Sequence, residues 1–185
     1  MLAECAADFH GKKERYINFI DVFREYQPDI VILAGDLGKV EKKIFDEIEV
    51  PVYVVHGNMD GTLSELRDSV EFIDGRIMEH GGIKFMGIGN VFPESVEEKV
   101  DVVVSHVPPY RTKDRTFIGT HIGSKWLRAF MEERKPSYII CGHVHEDAGY
   151  EKFGESYIVN CSVGKRGMAT LIEFEEEKIE MIGYL

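Results

Sequence analysis

The sequence predicts an α/β fold, and three observations carry the prediction. Apolar runs of four to six residues alternate with longer amphipathic stretches, the succession expected of strands and helices. Hydrophobic residues make up 44% and charged residues 30% of the chain, a globular profile and not a disordered one. At 185 residues the chain can bury roughly 70% of its unfolded surface as one domain and is short for two. A single domain over residues 1–185 is therefore expected.

The elements follow in order. Strands are expected at 2–7, 30–34, 52–55, 102–104 and 138–141, where apolar residues cluster. Residues 12–26 carry Tyr16, Ile17, Ile20, Phe23 and Tyr26 at helical spacing and stop before Pro28, so a helix is expected there. Two more helices are expected at 40–48 and 125–134, the second burying Trp126, Leu127, Phe130 and Met131. Residues 75–89, with Gly81-Gly82 between two apolar runs, and residues 147–185, with a Glu-rich turn, read as hairpins. They imply a second, largely antiparallel sheet.

Charge and composition narrow the function. Thirty-three acidic against 22 basic residues give a net charge of −11, which repels a polyanion, so long nucleic acid is a poor partner. Cys5, Cys141 and Cys161 form no Cys-x-x-Cys pair, which argues against a disulfide framework and fits a reducing cytoplasm. The first residues lack the basic and apolar segments of a signal peptide, and no apolar run approaches the roughly 18 residues of a membrane span. A soluble cytoplasmic protein without a membrane partner is expected, and a homo-oligomer is compatible with these features. A single glutamine beside abundant Glu and Lys matches a bias of heat-adapted proteins.

The chemistry lies just past the strands. Asp8 and His10 follow the first, Asp36 the second, Asn58 the third, His106 the fourth, and His143 and His145 the fifth. In open α/β sheets the carboxyl ends of the strands share one edge, so these residues converge in one crevice. In an extended segment residues i and i+2 point the same way, so Asp8 with His10, and His143 with His145, can each present two ligand atoms on one side. Gly35, Gly57 and Gly142 each precede a candidate ligand, where a missing Cβ permits a tight turn. Carboxylate, imidazole and one amide oxygen suit manganese, iron, zinc, nickel or cobalt better than calcium or magnesium. Seven ligands exceed one tetrahedral site and suit two ions sharing a carboxylate.

Taken together, Asp8-Phe-His10, Gly35-Asp36, Gly57-Asn58, Ser105-His106 and Gly142-His-Val-His145 resemble the five motifs of the calcineurin-like metallophosphoesterase superfamily, in order. The small size and Pro108-Pro109 are similar to its compact prokaryotic phosphodiesterases. The resemblance implies a four-layer α/β/β/α sandwich. It also implies one metal held by Asp8, His10, Asp36 and His145 and a second by Asp36, Asn58, His106 and His143, with Asp36 bridging and manganese first among the candidate metals. The implied reaction is hydrolysis of a small phosphorylated molecule, a diester before a monoester, by in-line attack of a hydroxide bridging two divalent ions.

One family position departs from the pattern. Many members place a histidine after the Asn, where this chain has Met59, and a thioether cannot donate a proton. Asp60 is expected to orient Asn58 or its loop. His121, just before the helix at 125–134, is a candidate substitute acid against the simpler reading of a loop histidine. Asn58, Met59, Asp60 and Arg111 are candidate substrate contacts, with Lys113 and Arg115 in the same basic loop. Ala7 and Asn160-Cys-Ser-Val-Gly replace the family's Ser and Asn-Pro-Gly. His56 and His80 are assigned to turns or packing. Two alternatives stand beside the enzyme: a metal-binding scaffold of the same fold, as in the phosphoesterase-like retromer subunit, and a nuclease, disfavoured by charge and length.

Overall fold

Alternation along two neighbouring strands sets the layering. The computed structural model describes residues 1–93, 96–164 and 166–184. Its strands are β1 (Leu2–Ala6), β2 (Ile30–Leu33), β3 (Val52–Val54), β4 (Glu71–Phe72), β5 (Ile77–His80), β6 (Ile83–Ile88), β7 (Val102–Ser105), β8 (Tyr138–Cys141), β9 (Gly149–Phe153), β10 (Ser156–Asn160), β11 (Ala169–Glu173) and β12 (Lys178–Ile182). In β1, Ala3 and Cys5 face one core and Ala6 another; in β2, Ile30 and Ile32 face the first and Val31 and Leu33 the second. A strand buried on both faces reads as a continuous apolar run.

The strands form two six-stranded sheets, ordered β12-β11-β1-β2-β3-β4 and β5-β6-β7-β8-β10-β9. Helix α1 (Lys13–Tyr26) packs Tyr16, Phe19 and Phe23 on Val31, Leu33 and Leu171 of the first sheet. Cys5, Ile32, Phe85, Val104 and Ile140 fill the space between the sheets. Helix α2 (Lys125–Arg134) packs Leu127, Phe130 and Met131 on Met86, Val103 and Ile139 of the second sheet. Three apolar layers thus separate four structural ones, the α/β/β/α sandwich. Truncating a fully buried member such as Phe19 to Ala would cost about 3–5 kcal/mol.

Several expectations need correction. The second sheet is not largely antiparallel: each sheet has a parallel centre, β1-β2-β3-β4 or β6-β7-β8-β10, with antiparallel strands at its margins. The predicted 147–185 segment splits, β9 and β10 joining the second sheet and β11 and β12 the first; Lys165 and Leu185 within it lie outside the described residues. The helix expected at 40–48 is one 3-10 turn, Lys42–Phe45, with no side-chain cap at Glu41. Nine residues without a cap do not offset the cost of nucleation, and Pro51 favours an extended Val50. The buried face of α1 is rotated from the predicted stripe: Phe19 and Val22 are buried, whereas Ile17 is 49% exposed. Trp126 lies off the inward face of Leu127, Phe130 and Met131 and is 44% exposed. Among the described residues no helix is long and apolar enough to cross a membrane.

Candidate metal centre

Backbone hydrogen bonds lace the strand-end loops into one surface. Asp8 N–H donates to Gly35 O, His10 N–H to Asp36 O and Gly11 N–H to Leu37 O, at 3.0, 2.9 and 2.7 Å. In the second sheet Gly142 N–H donates to His106 O at 3.0 Å. The two sets meet where His143 N–H donates to Asp8 Oδ2 at 2.9 Å. The candidate ligands therefore do not share one edge of one sheet, as the sequence suggested. β1, β2 and β3 deliver theirs from one sheet, and β7 and β8 from the other.

Extended geometry is not what aims these side chains. Asp8, His10, Asp36 and His143 have φ of 65°, 50°, 53° and 72°, the left-handed region that non-glycine residues adopt at a cost of order 1–3 kcal/mol where a site demands it. Asp8 with His10, and His143 with His145, are therefore not set side by side by an extended i, i+2 alternation. Gly35 and Gly57 stand where no side chain has room. A Cβ on Gly35 would lie 2.7 Å from His106 Nδ1, and one on Gly57 would lie 2.1 Å from Asp36 Oδ1.

Two clusters of donor atoms result. In the first, His145 Nε2 lies 3.1 Å from His10 Nε2 and 3.3 Å from Asp8 Oδ1, with His10 Nε2 3.8 Å from the same oxygen. In the second, His106 Nε2 lies 3.0 Å from Asn58 Oδ1, 3.3 Å from His143 Nδ1 and 3.5 Å from Asp36 Oδ2. Asp36 Oδ2 also approaches His10 Nδ1 at 3.8 Å, so this carboxylate stands between the clusters. Atoms that share an ion at roughly 2.1 Å in tetrahedral geometry lie about 3.4 Å apart, which these spacings match.

The donor chemistry calls for a positive centre. His106 Nδ1 lies 2.8 Å from the Ala34 carbonyl, which only accepts, so Nδ1 carries the proton. In the neutral ring Nε2 then turns a lone pair toward the oxygens of Asn58 and Asp36. A proton or a cation resolves that convergence. Fully buried Asp8 Oδ1 has no hydrogen-bond partner among the described residues, the condition of a ligand atom. Burial raises the Asp8 and Asp36 carboxyls, but the neighbouring histidines, His145 beside Asp8 and His106 beside Asp36, leave both below the ordinary value. Burial lowers His10 and His143 and keeps them neutral, whereas for His106 burial is outweighed by Asp36 and Asp8, which raise it. Charged carboxylates with His10 and His143 neutral are forms that bind metal, and at His106 a bound cation would take the place of the proton that Asp36 and Asp8 favour, so the residues fit divalent cations.

The remaining candidates have distinct places. Asn58 and Met59 are exposed, Met59 at 69%, with Met59 N–H donating to Asp36 Oδ1 at 2.9 Å. Asp60 Oδ1 accepts from Gly38 N–H and Oδ2 from Gly57 N–H, each at 2.9 Å. His121 Nδ1 pairs with buried Asp114 Oδ1 at 2.5 Å, and its ring meets Tyr110. Arg111 is exposed beside Tyr110. Lys113 is pinned to Asp147 at 3.0 Å, so the basic loop docks on the turn that begins at His145. Cys161 is buried with its thiol toward the Cys141 carbonyl. Three supporting residues were not anticipated. Arg15 reaches the carbonyls of Asp8, Phe9 and Gly164. Asn160 donates to the Val144 carbonyl at 2.8 Å, fixing the loop between the two histidines. Asp74 holds the His56 ring at 2.9 Å. The only sequence cue for Arg15 was a cation in the first turns of a helix after Asp-x-His.

The family model for calcineurin-like phosphoesterases matches residues 5–147, a span that contains both clusters. The chain belongs to that family. MJ1162 of Methanocaldococcus jannaschii is 30% identical over 194 residues, covering 84% of this chain and 85% of that protein. Among solved structures, TT1561 of Thermus thermophilus superposes with a TM-score of 0.71 at 13% identity, covering 98% of each chain. A novel archaeal phosphodiesterase superposes with a TM-score of 0.66 at 17% identity, covering 98% of this chain and 99% of that one. At such identities the superpositions speak for the sandwich alone. Membership of the calcineurin-like phosphoesterases carries phosphoric ester hydrolysis and divalent cations as the family's chemistry.

Proposed function

We propose that the chain is a dinuclear metal-dependent phosphodiesterase acting on a small phosphorylated molecule in the cytoplasm. The supporting observation is the pair of abutting donor clusters, with Asp36 Oδ2 within 3.8 Å of His10 in one and 3.5 Å of His106 in the other. Asp8, His10, Asp36 and His145 would hold one cation and Asp36, Asn58, His106 and His143 the other. Bound cations supply charge neutralisation and a nucleophile drawn from water at neutral pH; manganese is the first candidate, with iron, nickel, zinc or cobalt as alternatives.

The chain's own residues do the positioning. The carbonyl of Ala34 holds the His106 tautomer, and Asn58 adds a neutral oxygen that leaves net positive charge for a phosphoryl group despite the acidic surface. Met59 cannot deliver a proton to the leaving group. His121, oriented by Asp114, is the candidate for that role, with Arg111 a candidate substrate contact.

The test is reconstitution of metal-free protein with manganese, elemental analysis, and hydrolysis of bis(4-nitrophenyl) phosphate against 4-nitrophenyl phosphate. Two ions and faster diester turnover are expected. Two ions without turnover of either ester would favour a scaffold instead, and faster cleavage of DNA than of either ester would favour a nuclease.

A further inference from the structure

We propose that a recess beside Asn58 and His106 receives a planar aromatic group carried on an ester oxygen of the substrate, with Phe92 as its stacking platform. This rests on the phosphoesterase reading above. The recess is a cavity of about 220 Å³ walled by His56, Asn58, Ile88, Phe92, His106 and Val107. Because Asn58 and His106 belong to both the donor cluster and the recess, a phosphoryl group held at the cluster has an ester arm leading into it. The volume lies below the roughly 300–1,000 Å³ of pockets that enclose a whole drug-sized ligand. One ring system fits, not an entire dinucleotide.

Phe92 is 52% exposed, yet it is held. Its ring meets Trp126 edge-on at 5.1 Å and 76°, and Trp126 stacks on buried Phe130 at 5.3 Å and 16°. A ladder of three rings thus runs from the α2 core to the rim of the recess. The opposite wall is equally fixed. Asp74 Oδ1 accepts the backbone N–H groups of His56 and Asn90 at 3.0 and 3.1 Å, and its Oδ2 lies 2.9 Å from His56 Nδ1. The His56 ring stacks on Phe72 at 4.7 Å. A Cβ on Gly89 would lie 1.7 Å from Asp74 Oδ1, so no side chain can intrude there. A preformed aromatic slot beside a charged centre selects flat groups, because little ordering cost remains to be met on binding.

The experiment compares inhibition of the manganese-loaded enzyme by phenylphosphonate and by methylphosphonate, with bis(4-nitrophenyl) phosphate as substrate. Wild type should bind the phenyl compound more tightly. Phe92→Ala should weaken phenylphosphonate by roughly threefold to tenfold and leave methylphosphonate unchanged, while Phe92→Tyr retains both. Equal weakening of both compounds, or no change in either, overturns the inference while the hydrolase reading stands. Absence of any turnover by wild type overturns both together.

Discussion

The Asp60 carboxylate accepts the Gly57 N–H at 2.9 Å, one residue before Asn58, and with its other oxygen accepts Gly38 N–H from the loop that follows Asp36. Asp60→Ala removes both acceptors and leaves two partly buried donors to water, a loss of about 1–3 kcal/mol. Lower thermal stability and weaker retention of the ion on the Asn58 side are expected, with Asp60→Asn intermediate. Normal melting and metal content in Asp60→Ala would remove the positioning role.

Gly142 allows the two sheets to meet at the centre. A Cβ there would lie 2.4 Å from Ala7 Cβ and 2.7 Å from Asp8 Oδ2, contacts that force backbone movement. Gly142→Ala is expected to cost about 1–3 kcal/mol and to lose metal affinity. Gly61→Ala, whose added Cβ meets nothing within 4 Å, is the control and should do neither. Elemental analysis and urea unfolding of both variants check this.

His143 and His145 are two residues apart but face different partners, His106 for the first and His10 with Asp8 for the second. His143→Ala and His145→Ala should each lower metal stoichiometry from two toward one and retain different ions. Paramagnetic resonance of manganese-loaded variants separates the cases. Loss of the same single ion from both variants would contradict the assignment.

Fully buried Glu4 has two oxygens without hydrogen-bond partners among the described residues, and burial pushes its carboxyl from 4.5 up to about 9. The folded state therefore keeps a proton that the unfolded chain releases above 4.5. The Glu4 contribution to stability is greatest below 4.5 and is lost as pH rises toward 9, by up to about 1.4 kcal/mol per unit. Glu4→Met should remove this slope and stabilise the protein at pH 7 by about 1–3 kcal/mol. Urea denaturation at pH 5, 7 and 8.5 would refute the claim by showing parallel curves for both proteins.

Much of this was legible along the chain because β1, β2, β3, β7 and β8 are buried on both faces and so appear as apolar runs, broken inside only at Glu4 of β1. Each ends at the glycine or polar residue that begins a functional loop, so all seven candidate ligands could be named from position. The distribution of those strands between two sheets was not legible, since apolar runs do not state their neighbours. Nor was the left-handed backbone at Asp8, His10 and His143, which loop-to-loop hydrogen bonds impose. Trp126 was misplaced because it adjoins a helical stripe without belonging to it, and Arg15 was missed because its partners are carbonyls, which sequence does not display.

The division of the centre between two sheets has a thermodynamic side. Asp8, His10, Asp36 and Asn58 follow strands of one sheet, and His106, His143 and His145 follow strands of the other, with His10 and His145 separated by 135 positions. An ion shared across that boundary can form only after the sheets dock, so its binding free energy becomes folding free energy. At a thousandfold excess over its dissociation constant a single cation would add about 4 kcal/mol, comparable with a large part of a domain's net stability. The same atoms would then serve as reagent and as keystone, and starvation for metal would loosen the architecture along with the chemistry.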